Sequence, residues 1–144
     1  EPDPSEDWIG GHSIIYHTPH VVQTIQGVQF DNFGQEGVLG RYPIHFHKSG
    51  STKSLVSKNL VTNSKQRCIF IHNTNEVTID DNVAFNTAGH CYATETGSEE
   101  NNTFTHNLGA YTKKLTRSNG QSDSPGKTGG QTATFWIRNM KNTL

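Results

Sequence analysis

The sequence predicts an all-β chain wound as a right-handed parallel β-helix of about five coils. Three observations point there. Short runs rich in Val, Ile, Phe and Thr recur throughout, each bounded by Asn, Gly or Asp, and no long window spaces apolar residues as an α-helix would. A five-residue unit repeats: Asn59-Leu60-Val61-Thr62-Asn63, Asn82-Val83-Ala84-Phe85-Asn86 and Asn107-Leu108-Gly109-Ala110-Tyr111 begin 23 and 25 residues apart. That period holds roughly three strands of 4–6 residues with their turns, one turn of a β-solenoid. Finally, 31% hydrophobic content with 14 Gly in 144 residues is lean for two packed layers and suits a thin, elongated core. Leucine-rich repeats share a comparable period, but their leucine framework is absent.

Taken along the chain, residues 1–8 are acidic and predicted irregular. Gly27-Val28-Gln29-Phe30-Asp31 fits the row of Asn59. Pro43-Ile44-His45-Phe46-His47 fits the strand ending in His72 if Gln35 to Gly40 is an inserted loop. Arg67 to His72 superposes on Gly89 to Glu95, and Phe135-Trp136-Ile137-Arg138 takes the same place after a long insertion. That insertion, residues 112–131, is rich in Ser, Gly, Lys and Pro with nothing evident to bury, and is predicted to be a flexible excursion. The whole of 1–144 is expected to be one β-helix unit excised from a larger ectodomain and continued by adjoining coils, since it lacks an initiator Met and ends on a strand-like Asn142-Thr143-Leu144.

Twelve Lys and Arg against 13 Asp and Glu give a net charge of −1, too near neutral for a nucleic-acid footprint. A polyanion would have to be gripped locally. No run of 18 apolar residues is present, so no membrane contact by this segment is expected. Asn101-Asn102-Thr103 is a formal N-glycosylation acceptor. The repeated Asn59, Asn82 and Asn107 have a structural explanation, because stacked carboxamides donate and accept along a ladder. Cys68 and Cys91 occupy matched positions, with Cα atoms expected about 5 Å apart on neighbouring turns. A disulfide and a stacked pair of free thiols both remain open.

Alternation along a strand turns Ile44, Phe46, Ile69, Ile71, Tyr92, Thr94, Phe135 and Ile137 inward. It turns two columns outward: His47, His72, Glu95 and Arg138, and beside them His45, Phe70, Ala93 and Trp136. Imidazoles, a carboxylate and a guanidinium next to aromatic faces predict a ligand groove for an acidic glycan. The competing explanation is that the insertion covers these side chains, leaving only a polar flank. His45, His47 and His72 also form a candidate transition-metal site, with Glu95 one strand further.

Gly40-Arg41-Tyr42-Pro43-Ile44-His45-Phe46-His47 strongly resembles a signature of cell-surface hyaluronidases, hyaluronan-binding migration-inducing proteins and fibrocystin-L. The likeness continues through Arg67-Cys68, Ile71-His72-Asn73-Thr74-Asn75, Gly89-His90-Cys91, Asn107-Leu108-Gly109 and Phe135-Trp136-Ile137. It implies a right-handed β-helix in a large extracellular or membrane-anchored protein. It further implies either depolymerisation of hyaluronan, with calcium as cofactor, or a non-catalytic receptor or adhesion module of fibrocystin-L type. Under the first, Glu95 with His47 or His72 would exchange protons, Arg41 and Arg138 would hold carboxylates, and His45, Phe70 and Trp136 would line the substrate. One departure stands out: the family tends to have Glu-Asp-Gly where this chain has Glu95-Thr96-Gly97, so one of two adjacent carboxylates is missing.

Overall fold

A computed structural model describes residues 7–126 and 131–144. The chain winds as a parallel β-helix whose coils each contribute one strand to each of three sheets. The first coil holds β1 (Ile14–Tyr16), β2 (Thr24–Gln26) and β3 (Gln29–Asp31); the second β4 (Ile44–Ser51), β5 (Leu55–Ser57) and β6 (Leu60–Thr62). The third holds β7 (Ile69–Asn75), β8 (Thr78–Asp80) and β9 (Val83–Ala88), and the fourth β10 (Tyr92–Thr94), β11 (Thr103–Thr105) and β12 (Leu108–Lys113). A further strand, β13 (Phe135–Trp136), lies on β10. All strand pairs are parallel, with the right-handed winding that parallel crossovers adopt.

Matched register carries the core. Ile15, Phe46, Ile71 and Thr94 stack in one sheet, Ile25, Val56, Ile79 and Phe104 in the second, and Phe30, Val61, Ala84 and Gly109 in the third. The strands are short because each coil must turn three corners. At the corner between the second and third sheets, Gly27, Lys58, Asp81 and His106 all adopt positive φ, between 52° and 69°. The residue after each of the last three is the ladder asparagine. Asn82 Oδ1 accepts the backbone N–H of Asn59 and its Nδ2, and Asn107 Oδ1 does the same for Asn82. The Nδ2 groups of Asn59, Asn82 and Asn107 donate to the carbonyls of Ile25, Val56 and Ile79. Through Oδ1 the asparagine column thus satisfies the corner N–H groups of Val28, Asn59 and Asn82, and through Nδ2 it adds a donor to carbonyls in the middle of the second-sheet strands.

Cys68 and Cys91 form a disulfide between neighbouring coils, with Cα atoms 4.5 Å apart. β1 and β2 complete the first coil ahead of Gly27–Asp31, the one part of that coil that the sequence repeat had marked. Phe135 is not enclosed as alternation suggested: it stacks on Tyr92 at 4.9 Å but stays 40% exposed, since no described strand covers its other side.

The insertion also differs from expectation. Thr112 and Lys113 end β12, and the chain that follows packs against the helix, burying Leu115, Asn119, Asp123 and Ser124. Asp123 is what pins it. Its carboxylate accepts two bonds from the Arg67 guanidinium at 3.0 Å each, one from the His90 backbone and one from Asn119. Gly89 makes room for this contact, because at φ 76° a Cβ would sit 2.8 Å from Asp123 Oδ2. Residues 1–6 and 127–130, within the predicted irregular terminus and insertion, lie outside the described residues.

Replacing Asn82 with Ala leaves the buried Asn59 N–H without a partner, and is expected to lower unfolding free energy by about 1–3 kcal/mol in a denaturant titration. Reduction should add the mass of two hydrogens to the chain and lower stability by about 3 kcal/mol, as expected for a 23-residue loop. An unchanged mass excludes the bond.

Candidate functional site

β1, β4, β7, β10 and β13 present one flank. Parallel register puts Tyr16, His47 and His72 on one outward ladder, and Glu95 and Arg138 each lie two residues beyond the Ala93–Trp136 pair of β10 and β13. The Tyr16 ring stacks on His47 at 5.3 Å, with the planes 11° apart. His72 Nδ1 lies 3.1 Å from His47 Nδ1 and 3.2 Å from Glu95 Oε2. Arg138 Nη1 donates to the Glu95 carbonyl at 2.6 Å, and its backbone N–H to Thr94. The structure therefore brings His47, His72, Glu95 and Arg138 together, and adds Tyr16 to them. Tyr16 was missed because the first coil lacks the asparagine that marks the others; the alternation of Ile14-Ile15-Tyr16 against His45-Phe46-His47 was the available signal.

Three of the four residues of the second predicted column do not reach solvent. His45 is 2% exposed and Phe70 1%, and Ala93 is buried. Alternation turned these residues out of the helical core, but a second small core covers them, formed by Tyr42, Phe70, Ala93 and the half-buried Trp136. The Arg67 guanidinium lies 4.1 Å over Phe70 and donates to the Tyr42 hydroxyl at 2.8 Å. Trp136 stacks on His90 at 4.4 Å. Phe70 is thus closed to a sugar ring, and one face of Trp136 is taken. The packed insertion supplies the lid through Asp123. Burial opposes the charge on Arg67, but its bonds to Asp123 outweigh this and hold its pKa above the usual value. Burial also pushes Asp123 up, yet Arg67 draws it down to about 2.

His45 is buried but not idle. Its Nδ1 lies 3.0 Å from the Gly40 carbonyl, which can only accept, so Nδ1 carries the proton and Nε2 presents its lone pair. Nε2 points at His47 Nδ1, 3.4 Å away. Burial pushes the His45 pKa down to about 3, with His47 and His72 adding smaller repulsions, and lowers His47 in the same way. A cleft of about 350 Å³ opens here, lined by Arg41, His45, His47, His72 and Glu95, with Ile14 and Leu39 as apolar walls. Arg41 is exposed at its mouth and bonded to His12. A larger cleft of about 540 Å³ on another flank draws on Trp8, Lys65 and Arg117. There Lys65 pairs with Asp7, and Arg117 lies 4.7 Å over the Trp8 ring.

Glu99, unremarked in the sequence, is a fully buried carboxylate. Burial raises its pKa, but bonds from Thr96, Asn73 and Gly97 prevail and hold it below the usual range. Thr96, which stands where the family tends to have Asp, donates its hydroxyl to Glu99 at 2.6 Å and so shapes the loop after Glu95.

The residues that build this flank and the coils beneath it, 8–144, match the CEMIP beta-helix family. The chain belongs to that family. Among relatives of the CEMIP beta-helix chain is a G8 domain-containing protein of Dictyostelium discoideum, 42% identical over 110 residues, covering 76% of this chain and 7% of the relative. Protein rliB of the same organism is 36% identical over 139 residues, covering 96% and 12%. The cell migration-inducing and hyaluronan-binding protein of Mus musculus is 31% identical over 163 residues, again covering 96% and 12%. The chain thus spans only about a tenth of the length of these relatives. No solved structure matches it. No helix of the described residues is long and apolar enough to cross a membrane.

The buried flank makes one prediction. His90 Nδ1 accepts the Ala133 backbone N–H at 3.1 Å, so the proton sits on Nε2, facing the Ser122 hydroxyl. Burial pushes its pKa down to about 4. Stability carried by neutral His90 is complete above the unfolded pKa near 6.5 and is lost as pH falls from there toward 4. Unfolding free energy from denaturant titration should drop between pH 7 and pH 5, by on the order of 1–2 kcal/mol for each buried imidazole, and the midpoint should fall with it. A midpoint flat over that range rejects the neutral assignment.

Proposed function

We propose that this chain is a carbohydrate-binding segment of an extracellular or cell-surface protein, and that it takes an acidic polysaccharide such as hyaluronan along the Tyr16–Arg138 flank. The observation that carries this reading is the open cleft itself, with the exposed Arg41 cation at its mouth and the exposed Tyr16 ring beside it. An aromatic face suits the apolar face of a sugar, and guanidinium groups suit its carboxylates. The ladder from Tyr16 to Arg138 spans five strands, roughly 19 Å at the usual strand spacing, enough for an extended chain to lie across it. The mouse cell migration-inducing and hyaluronan-binding protein, to which this chain is similar, supports the choice of glycan.

Binding is favoured over cleavage. Glu95 and His72, 3.2 Å apart, could exchange a proton, but glycoside hydrolysis usually needs a second carboxylate about 5–9.5 Å from the first. Among the described residues lining the cleft, Glu95 is the sole carboxylate. Of the residues first assigned to substrate, Arg41 and Arg138 keep that role here, while His45, Phe70 and Trp136 support the wall behind them.

Isothermal calorimetry with hyaluronan oligosaccharides, run beside a reducing-end assay, tests the proposal. Saturable binding without new reducing ends is expected, weakened about fivefold or more by Arg41→Ala or Tyr16→Ala, each about 1 kcal/mol. Affinity unchanged in both variants overturns the assignment of the flank. New reducing ends that vanish in Glu95→Gln would establish hydrolysis instead.

A further inference from the structure

The three histidines of the cleft are arranged as ligands are. His45 Nε2 and His47 Nδ1 are 3.4 Å apart, His47 Nδ1 and His72 Nδ1 3.1 Å, and one nitrogen from each ring lies within 4.8 Å of both others. In a tetrahedral zinc site with Zn–N near 2.0–2.1 Å, neighbouring ligand atoms are about 3.3 Å apart. Two of the three edges therefore already have the spacing a tetrahedral ion imposes. Glu95 Oε2, 3.2 Å from His72 Nδ1, adds an oxygen at the same separation.

The surroundings fit a ligand set in two further respects. The Gly40 carbonyl fixes the His45 tautomer by accepting a hydrogen bond from its Nδ1–H, which leaves the Nε2 lone pair free for a metal, the arrangement metal-bound histidines adopt with an outer carbonyl. The Gly40 loop and Tyr42, whose ring lies 4.8 Å from that of His45, hold the imidazole in orientation. In addition, the site is partly enclosed, with His45 buried and His47 and His72 half-buried, yet it opens on the cleft.

We infer that His45, His47 and His72 bind a divalent transition metal such as zinc, with Glu95 or a water in the fourth position facing the cleft. Calcium does not fit. It takes six to eight oxygen ligands, and this cluster offers three nitrogens and one carboxylate. The inference stands independently of glycan binding, since the metal is measured with no sugar present.

Titration of the metal-stripped chain with Co²⁺ should give one equivalent of saturable binding and the visible absorption of a four-coordinate nitrogen and oxygen site. Zn²⁺ should displace the cobalt, and millimolar Ca²⁺ should not. His72→Ala, a half-buried position where truncation leaves the core intact, should weaken Zn²⁺ binding at least tenfold while its far-ultraviolet circular dichroism matches the parent. His106→Ala, at an exposed histidine paired with Asp80, should bind as the parent does. The inference is overturned if the parent chain shows no one-equivalent binding, if His72→Ala binds undiminished, if His106→Ala loses the metal, or if calcium displaces cobalt.

Discussion

Every feature of this molecule depends on each coil lying one strand spacing above the last, without slippage. A solenoid has no distant part of the chain to correct an error, since each coil touches only its neighbours. A slip of one residue would turn Ile44, Ile69 and Tyr92 outward and the histidines inward. A slip of two residues keeps every side chain on its own face, and apolar contacts alone resist it weakly, because the stacked residues are chemically alike. The Asn59–Asn82–Asn107 column resists it strongly. Each carboxamide serves both the backbone of the coil on one side and the carboxamide of the next, so a displaced coil would strand several buried polar groups at once.

That same register makes the functional flank. Residues far apart in sequence, Tyr16, His47, His72, Glu95 and Arg138, become neighbours only because the coils are aligned. The flank then divides by cover. Where the insertion packs down, Arg67 and Asp123 exclude water and the outward side chains become a second core. A buried pair of this kind is costly to desolvate, and here the cost is offset by four hydrogen bonds to the carboxylate and by the rings of Tyr42 and Phe70 around the guanidinium. Where the insertion does not reach, the histidines meet a cleft.

The repeat was legible because the asparagine column is local and periodic, and with it came the strand register and the proximity of Cys68 to Cys91. Alternation also placed His47, His72, Glu95 and Arg138 on one ladder. What alternation cannot express is whether an outward face is covered, and His45 and Phe70 failed on that point. Phe70 is closed by Arg67, which Asp123 holds from a stretch with no period and one buried leucine, Leu115, so nothing in its composition announced that it docks; His45 is closed by Tyr42 and the Gly40 loop. A second polar column was overlooked for a related reason. Asn102 bonds Val77 and Thr74, and Asn142 bonds Asn102 and Glu99, but irregular loops separate them and no fixed spacing marks the pair.

The bridge between Cys68 and Cys91 has a mechanical consequence. Tension applied along the polypeptide would pass from one sulfur to the other, so the loop between them, which includes β7, β8 and β9, bears no load and cannot lengthen. Coils outside the bridge can unravel one at a time, but this one is withheld from extension for as long as the surroundings stay oxidising. Under reducing conditions the same pull would release its full contour length.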